Sequence, residues 1–252
     1  MNISRHEKIL SIIQEKKSVT TQELQNLVYV STSTIIRDLI ELERLGLIKR
    51  FHGGASMVVP KDSEASYTIR VKTNVYEKNI IAKAAAQLIE DGSTIFIDSS
   101  STLQTLIPHL KNHKNLTVIT NGLNSAILLS NNTDATIMFV GGQIAANSNS
   151  TIGSMALNDL RNFNTDIAVF SASGICGDTI CEHSIEQSAI KQLMISRSKK
   201  AMLLCDSSKF GVTTKISMTS FNSLDYLITN AMPDNKILNA IKKTKCKLVV
   251  AK

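Results

Sequence analysis

The stretch Val30 to Ala55, VSTSTIIRDLIELERLGLIKRFHGGA, constrains the chain more than any other. Ser31 is a good helix start, because its hydroxyl can accept a hydrogen bond from an orphan amide of the first turn. From Thr32 to Leu45 no Gly or Pro intervenes, and Gly46 then supplies a left-handed stop. At about 3.6 residues per turn, Ile35, Leu39 and Leu42 share one face, which must be buried. Ser33, Arg37 and Arg44 fall on the opposite face, with Thr32 and Thr34 near the amino end. Such a face suits the major groove, where hydroxyls and N-terminal amides hold phosphates and arginine forks onto guanine. Leu47-Ile48-Lys49-Arg50-Phe51-His52 follows, then Gly53-Gly54, a hairpin turn signal behind a basic strand. A helix followed by a basic hairpin reads as a winged helix-turn-helix, with Lys49, Arg50 and His52 on the wing. The competing reading is an ordinary amphipathic helix and hairpin whose charges are merely solvated.

The residues upstream favour the first reading. Ser4-Arg5-His6-Glu7 has the form of a capping box, and Ile9, Leu10, Ile12 and Ile13 give the following helix an apolar face. Thr20-Thr21-Gln22-Glu23 is a second capping box, opening a short helix with Leu24 and Leu27 inward. Three helices and a hairpin within residues 1–58 form a small DNA-binding domain. The net charge of +7 does not decide the matter. Between Met1 and Ser56 the excess of basic over acidic residues is only two (eight Lys/Arg less six Asp/Glu), so the argument rests on where the charges sit.

The 252 residues leave room for a second domain of ordinary size. Residues 59–74, with Pro60, mixed charges and the hydroxyls of Ser63, Ser66 and Thr68, read as a linker. From Val75 helical and strand patterns alternate. Strands are expected at Thr94–Ile97, Leu116–Thr120, Ala135–Val140, Ile167–Ser171, Ala201–Cys205, Tyr226–Thr229 and Leu248–Val250. Helices are expected at Val75–Leu88, Leu103–Leu110, Ser125–Leu129, Ser184–Ser196 and Asp234–Lys243. This alternation makes residues 75–252 an α/β domain with a largely parallel sheet. In such sheets ligands bind beyond the carboxyl ends of the strands. Polar or glycine-rich loops follow five of the expected strands: Asp98-Ser99-Ser100-Ser101-Thr102, Thr120-Asn121-Gly122, Gly141-Gly142, Ser171-Ala172-Ser173-Gly174, and Asp206-Ser207-Ser208-Lys209-Phe210-Gly211. Together they outline a site.

Other classes are disfavoured. No apolar run approaches the roughly 18 residues that span a bilayer, and the N-terminus lacks a signal peptide's apolar segment, so no membrane partner and a cytoplasmic location are expected. Cys176, Cys181, Cys205 and Cys246 have no zinc spacing, and reduced thiols are expected, with no metal and no cofactor.

Val30–Ala55 resembles the DNA-binding signature of the DeoR family of bacterial repressors, VSxxTIRRDLxxLexxGLlxRxHGGA. Ile36 stands where the family has the first Arg of its Arg-Arg pair, so operator or phosphate contacts are expected to differ there. The second half resembles the family's effector domain, itself similar in fold to ribose-5-phosphate isomerase. The family's DxGTT, TN, GG and DxSKFG correspond to Asp98–Thr102, Thr120-Asn121, Gly141-Gly142 and Asp206–Gly211, with Ser100 in place of Gly. Arg70, Lys72 and Lys78 resemble its basic stretch at the entrance of that domain. The resemblance implies a repressor of sugar-metabolism genes that binds double-stranded operator DNA and responds to a phosphorylated sugar. The Asp98 loop and Lys209 would then be phosphate or sugar contacts, and backbone amides at Ser101 and Thr102 would add donors.

The alternative is a sugar-phosphate isomerase with a DNA-binding domain attached, for which Asp98, Asp206 or Glu186 would serve as base. A regulator of this size also needs a symmetric assembly to read repeated half-sites. A homodimer or homotetramer joined through the effector domain is expected.

Overall fold

Helix starts and strand alternation account for most of the architecture. The computed structural model describes residues 3–44, 47–57, 67–145 and 147–252, which divide into two units, Met1–Ile69 and Arg70–Lys252.

The first unit runs α1 (Ile3–Lys16), β1 (Ser18–Thr20), α2 (Thr21–Val28), α3 (Thr32–Arg44), β2 (Ile48–Phe51) and β3 (Gly54–Met57). Thr20 caps α2 as expected, its hydroxyl accepting from the Glu23 amide while Glu23 accepts from the Thr20 amide. Ser31 accepts from the Thr34 amide at 3.3 Å at the start of α3. The cap expected at Ser4 is displaced, because α1 already begins at Ile3; the side chains of Ser4 and Glu7 lie outside the described residues, as does the helix stop at Gly46. Ile9, Ile13, Val19, Leu24, Ile35, Leu39, Leu42 and Ile48 form the core. Leu27, expected inward, is 39% exposed.

The strands pair antiparallel in the order β1-β3-β2. The hairpin turn is His52-Gly53 rather than Gly53-Gly54, with Gly53 at φ +82° and Gly54 already paired with Phe51. A Cβ on Gly54 would lie 2.5 Å from the Val19 carbonyl oxygen, so glycine is required there by strand packing.

Pro60, Ser63 and Ser66 of the expected linker lie outside the described residues, but its end is helical: α4 spans Tyr67–Lys72, with Tyr67 buried.

The second unit continues with α5 (Val75–Ala86), β4 (Thr94–Ile97), α6 (Ser101–Leu106), β5 (Thr117–Thr120), α7 (Leu123–Asn132), β6 (Thr136–Phe139), β7 (Gln143–Ala145), β8 (Ser150–Ile152) and α8 (Gly153–Leu160). It ends with β9 (Thr165–Phe170), β10 (Gly174–Cys176), β11 (Thr179–Glu182), α9 (Ile185–Ser196), β12 (Ser198–Leu204), β13 (Ile216–Ser220), β14 (Tyr226–Thr229), α10 (Asn235–Ile241) and β15 (Lys247–Val250). A parallel seven-stranded sheet has the order β15-β14-β12-β9-β4-β5-β6. Successive strand residues face opposite sides, and in the central strands both sides are buried, whereas the edge strand β6 is largely exposed. Ile95, Ile97, Ile167, Val169, Met202 and Leu204 face one core with Ile81, Ala85, Leu103 and Leu106. Phe96, Ala168, Phe170, Ala201 and Leu203 face the other with Ala156, Ile190, Met194 and Ile237. This two-sided burial is why the strands read as continuous apolar runs.

The order reverses between β4 and β9. From β4 the chain steps outward to β5 and β6, then returns to β9 on the other side and steps outward again. That switch point fixes where a ligand crevice belongs. Helix Leu103–Leu110 is realised as α6 followed by a 3-10 turn at Ile107–Leu110. The antiparallel sheet β10-β11-β13, the β7-β8 hairpin and α8 were not expected from the sequence. Among the described residues no helix is long and apolar enough to cross a membrane.

Candidate functional site

On α3 the buried face is Ile35, Asp38, Leu39 and Leu42. Ser33, Arg37 and Arg44 are exposed on the other side, as are Thr32, Lys49 and His52, whereas Thr34 and Arg50 are half-buried. The hydroxyls at the amino end are already organised. Ser31 Oγ lies 3.0 Å from Ser33 Oγ and 2.9 Å from Thr34 Oγ1, and Thr32 donates to Gln25 Oε1 at 2.6 Å. Arg50 on the wing is tied to α3, its amide donating to Glu43 Oε1 at 2.8 Å and its guanidinium lying 3.8 Å from Oε2.

Sequence reasoning missed the device that fixes this helix. Asp38, 5% exposed, receives two hydrogen bonds from Arg5, at 2.6 and 2.9 Å, and lies 3.0 Å from His6 Nε2. The Arg5 hydrogen bond, helped by His6 and opposed by burial, holds the Asp38 carboxyl below the usual carboxylate range. A bidentate pair of this kind sets α3 on α1 in one orientation. The arginine is 33 positions away in sequence, and nothing local announces it.

In the second unit the loops after β4, β5, β9 and β12 meet at the switch point. Asp98, Ser99, Ser100, Ser101 and Thr102 are all buried. Asp98 acts as a loop clamp: Oδ1 accepts from the Ser100 amide at 2.9 Å, and Oδ2 accepts from the Ser171 amide at 3.2 Å. A Cβ on Gly122 would lie 2.9 Å from the Ser99 Cα, so glycine lets the β5 loop close on the β4 loop. Thr120 Oγ1 accepts from the Gly122 amide at 3.1 Å, and Asn121 donates to the Thr151 carbonyl at 2.9 Å. Ser100 Oγ and Asn121 Oδ1 are buried and have no hydrogen-bond partner among the described residues. Buried polar atoms are rarely left so.

Lys78 of α5, 4% exposed, joins this edge by donating to Ser101 Oγ at 3.1 Å and to the Arg70 carbonyl. Burial lowers its pKa to about 8; Asp206 opposes that shift, and the charges of Lys209 and Arg70 add to it. Asp206 Oδ1 accepts from Asn74 Nδ2 at 2.9 Å and from the Ser208 amide at 3.0 Å, which orders the loop carrying Lys209. Thus Lys78 meets Ser101 and the Arg70 backbone here, with the charges of Asp206, Lys209 and Arg70 close enough to act on it.

The glycines that follow β6 and β9 differ in what packing demands of them. A Cβ on Gly141 would meet only Asp159, at 3.6 Å, whereas neighbouring Gly142 has φ +141° and would clash with the Ile152 carbonyl. Gly174 opens β10, where a Cβ would lie 2.3 Å from the Val212 carbonyl oxygen, so packing requires glycine there.

A second buried charge cluster was not expected. Lys191 of α9 donates to the Ser171 carbonyl at 2.9 Å, lies 3.3 Å from Asp98 Oδ2, and is paired with Glu182 of β11. Burial pushes Glu182 up, but the Lys191 charge and hydrogen bonds from Lys191, Ser173 and His183 prevail and hold it low. One turn before Lys191, Gln187 donates to Ser148 and Ser150, tying α9 to the β7-β8 hairpin. The i, i+4 spacing of Gln187 and Lys191 was the available signal. Glu186 points away, exposed and bonded to Ser184. Cys176 is exposed and the other three cysteines are buried, all as free thiols.

Residues 5–61 match the DeoR-like helix-turn-helix domain, and residues 73–231 match the DeoR C terminal sensor domain. The HTH-type transcriptional regulator GolR of Listeria innocua is 35% identical over 95% of this chain and 93% of its own length. The glycerol-3-phosphate regulon repressor of Escherichia coli is 34% identical over 94% of each. Among solved structures, ribose 5-phosphate isomerase A of Methanocaldococcus jannaschii aligns over 55% of each chain with TM-score 0.41 and 18% identity, which adds nothing to the fold described above. Both halves of the sequence and relatives along nearly its whole length agree, and the chain belongs to the DeoR family of DNA-binding transcription regulators.

Proposed function

We propose that this regulator is a cytoplasmic repressor of sugar-metabolism genes, and that a phosphorylated sugar bound at the β4–β9 switch point releases it from operator DNA. The observation that carries the reading is buried Lys78, bonded to Ser101 Oγ and within reach of the charges of Arg70 and Lys209, beside two buried polar atoms without a partner among the described residues, Ser100 Oγ and Asn121 Oδ1. A phosphate dianion neutralises such a cluster, and charge-assisted hydrogen bonds from the lysines and serine hydroxyls hold it. Asn121 and the adjacent hydroxyls then face the sugar. The repressor named for glycerol 3-phosphate among the relatives supports this ligand class.

On α3 and the wing, Ser33, Arg37 and Arg44 are the base and phosphate contacts, supplemented by Thr32, Thr34, Lys49, Arg50 and His52. A homodimer or homotetramer presents two such faces to repeated half-sites.

The isomerase reading is weaker. Asp98 and Asp206 both spend a carboxylate oxygen on their own loop's backbone, and Glu186 faces solvent. A thermal-shift panel of pentose, hexose and glycerol phosphates tests the proposal. A ligand at 100 times its dissociation constant adds about 2.7 kcal/mol, and turnover of ribose 5-phosphate in the same samples would favour the isomerase.

A further inference from the structure

The exposed face of α3 carries two large apolar side chains that folding does not explain. Ile36 is 39% exposed and Ile40 is 48% exposed. They are four apart and therefore adjacent on the helix surface. At about 100° per residue, Ile40 lies between Ile36 and the group Ser33, Arg37 and Arg44. Neither isoleucine belongs to the core of Ile35, Leu39 and Leu42. β-Branched residues are also poorer helix formers than the Ala, Glu or Lys that an exposed position could hold. Single exposed apolar residues are ordinary, but here a pair forms a stripe on the face that carries Ser33 and the helix's arginines.

We infer that Ile36 reads the C5-methyl group of a thymine in the operator, with Ile40 shielding the contact from water. This rests on the DNA-contact reading of α3. In the major groove the thymine methyl is the apolar group on offer, and aliphatic side chains match it. Recognition helices place their amino-terminal residues on base edges, and Ile36 lies early in α3, which begins at Thr32. A cation at this position would strengthen binding to any sequence through phosphate. Isoleucine gives up that general affinity and gains discrimination at one base pair.

The test begins by selecting duplexes from a random pool with the full-length protein at fixed salt. In the selected duplex each thymine is then replaced singly by uracil, which removes the methyl and leaves the pairing edge intact. The expected result is one thymine per half-site at which uracil weakens binding about fourfold, the worth of one buried methyl group. Ile36→Ala should bind the thymine and uracil duplexes equally. Ile36→Arg should also lose the discrimination while gaining about one unit of salt slope. Discrimination retained by Ile36→Ala, or no uracil effect in the wild type, would overturn the inference while leaving DNA binding intact. So would an Ile36→Ala protein whose assembly mass changes but whose thymine preference does not, since the stripe would then be a subunit contact. A pool in which no duplex is enriched would overturn the DNA-binding reading itself.

Discussion

The titration of Lys78 gives the sharpest test of the proposed phosphate site. Its side chain is 4% exposed, and burial brings its pKa from 10.5 to about 8. A phosphate dianion beside the ammonium restores its hold on the proton, so binding and protonation are linked. A phosphate monoester loses its second proton near pH 6. The combination of dianion and ammonium is therefore most available between about pH 6 and pH 8. At pH 9 only about one molecule in ten keeps the proton before binding, so affinity should fall about tenfold from its value at pH 7, or about 1.4 kcal/mol.

The unliganded protein should respond with the opposite sign. The native state binds this proton more weakly than the unfolded chain, so the group's contribution to stability rises with pH between about 8 and 10.5. Isothermal titration calorimetry with a sugar phosphate that passes the thermal-shift panel, run in buffers of different ionisation enthalpy, reads both affinity and proton uptake. Uptake from this group should be about half a proton at pH 8, and Lys78→Arg should abolish the loss of affinity above it. Affinity that stays flat from pH 7 to 9 with no proton uptake would refute the placement of phosphate at Lys78.

Three further outcomes follow from the first unit. Arg37→Ala should leave the fold intact, since Arg37 is exposed, and weaken operator binding by about 1–3 kcal/mol in a gel shift. Arg50→Ala should weaken binding to all duplexes alike and make the log–log salt slope shallower by about one unit. A change of sequence preference at unaltered slope would count against its phosphate role. Asp38→Asn should cost about 1–3 kcal/mol in urea unfolding, discounted from a fully buried pair because Arg5 is a quarter exposed. The wild-type contribution is present above about pH 4 and fades below it, because the folded pKa is depressed, so the variant should show a flatter acid limb.

How far the sequence could be read depends on the range over which each signal acts. The two α3 faces follow from periodicity within thirteen residues, and the central strands from apolar runs buried on both sides. The Asp98 and Asp206 loops were legible because they join a strand to a helical turn. What stayed hidden is non-local or short. Arg5 and Asp38 carry no mutual mark in the sequence, and Glu182 meets Lys191 only because β11 and α9 converge on the end of β9. The strands β7, β8 and β10 have three residues each, too few for alternation to register. A glycine in a loop carries two signals at once: a ligand and close backbone packing both call for it, and at Gly174 and Gly142 the neighbouring backbone is close enough to require it.

The measurement that bears most directly on the central claim is release of a labelled operator duplex, followed by fluorescence anisotropy as a phosphorylated sugar is added. The ligand can shift DNA affinity only if it prefers the weakly binding state. The wild type should release the duplex, whereas Lys209→Ala and Thr102→Val should bind it equally well and retain it. A wild type indifferent to every phosphorylated sugar, or variants that release DNA at the wild-type effector concentration, would contradict the account.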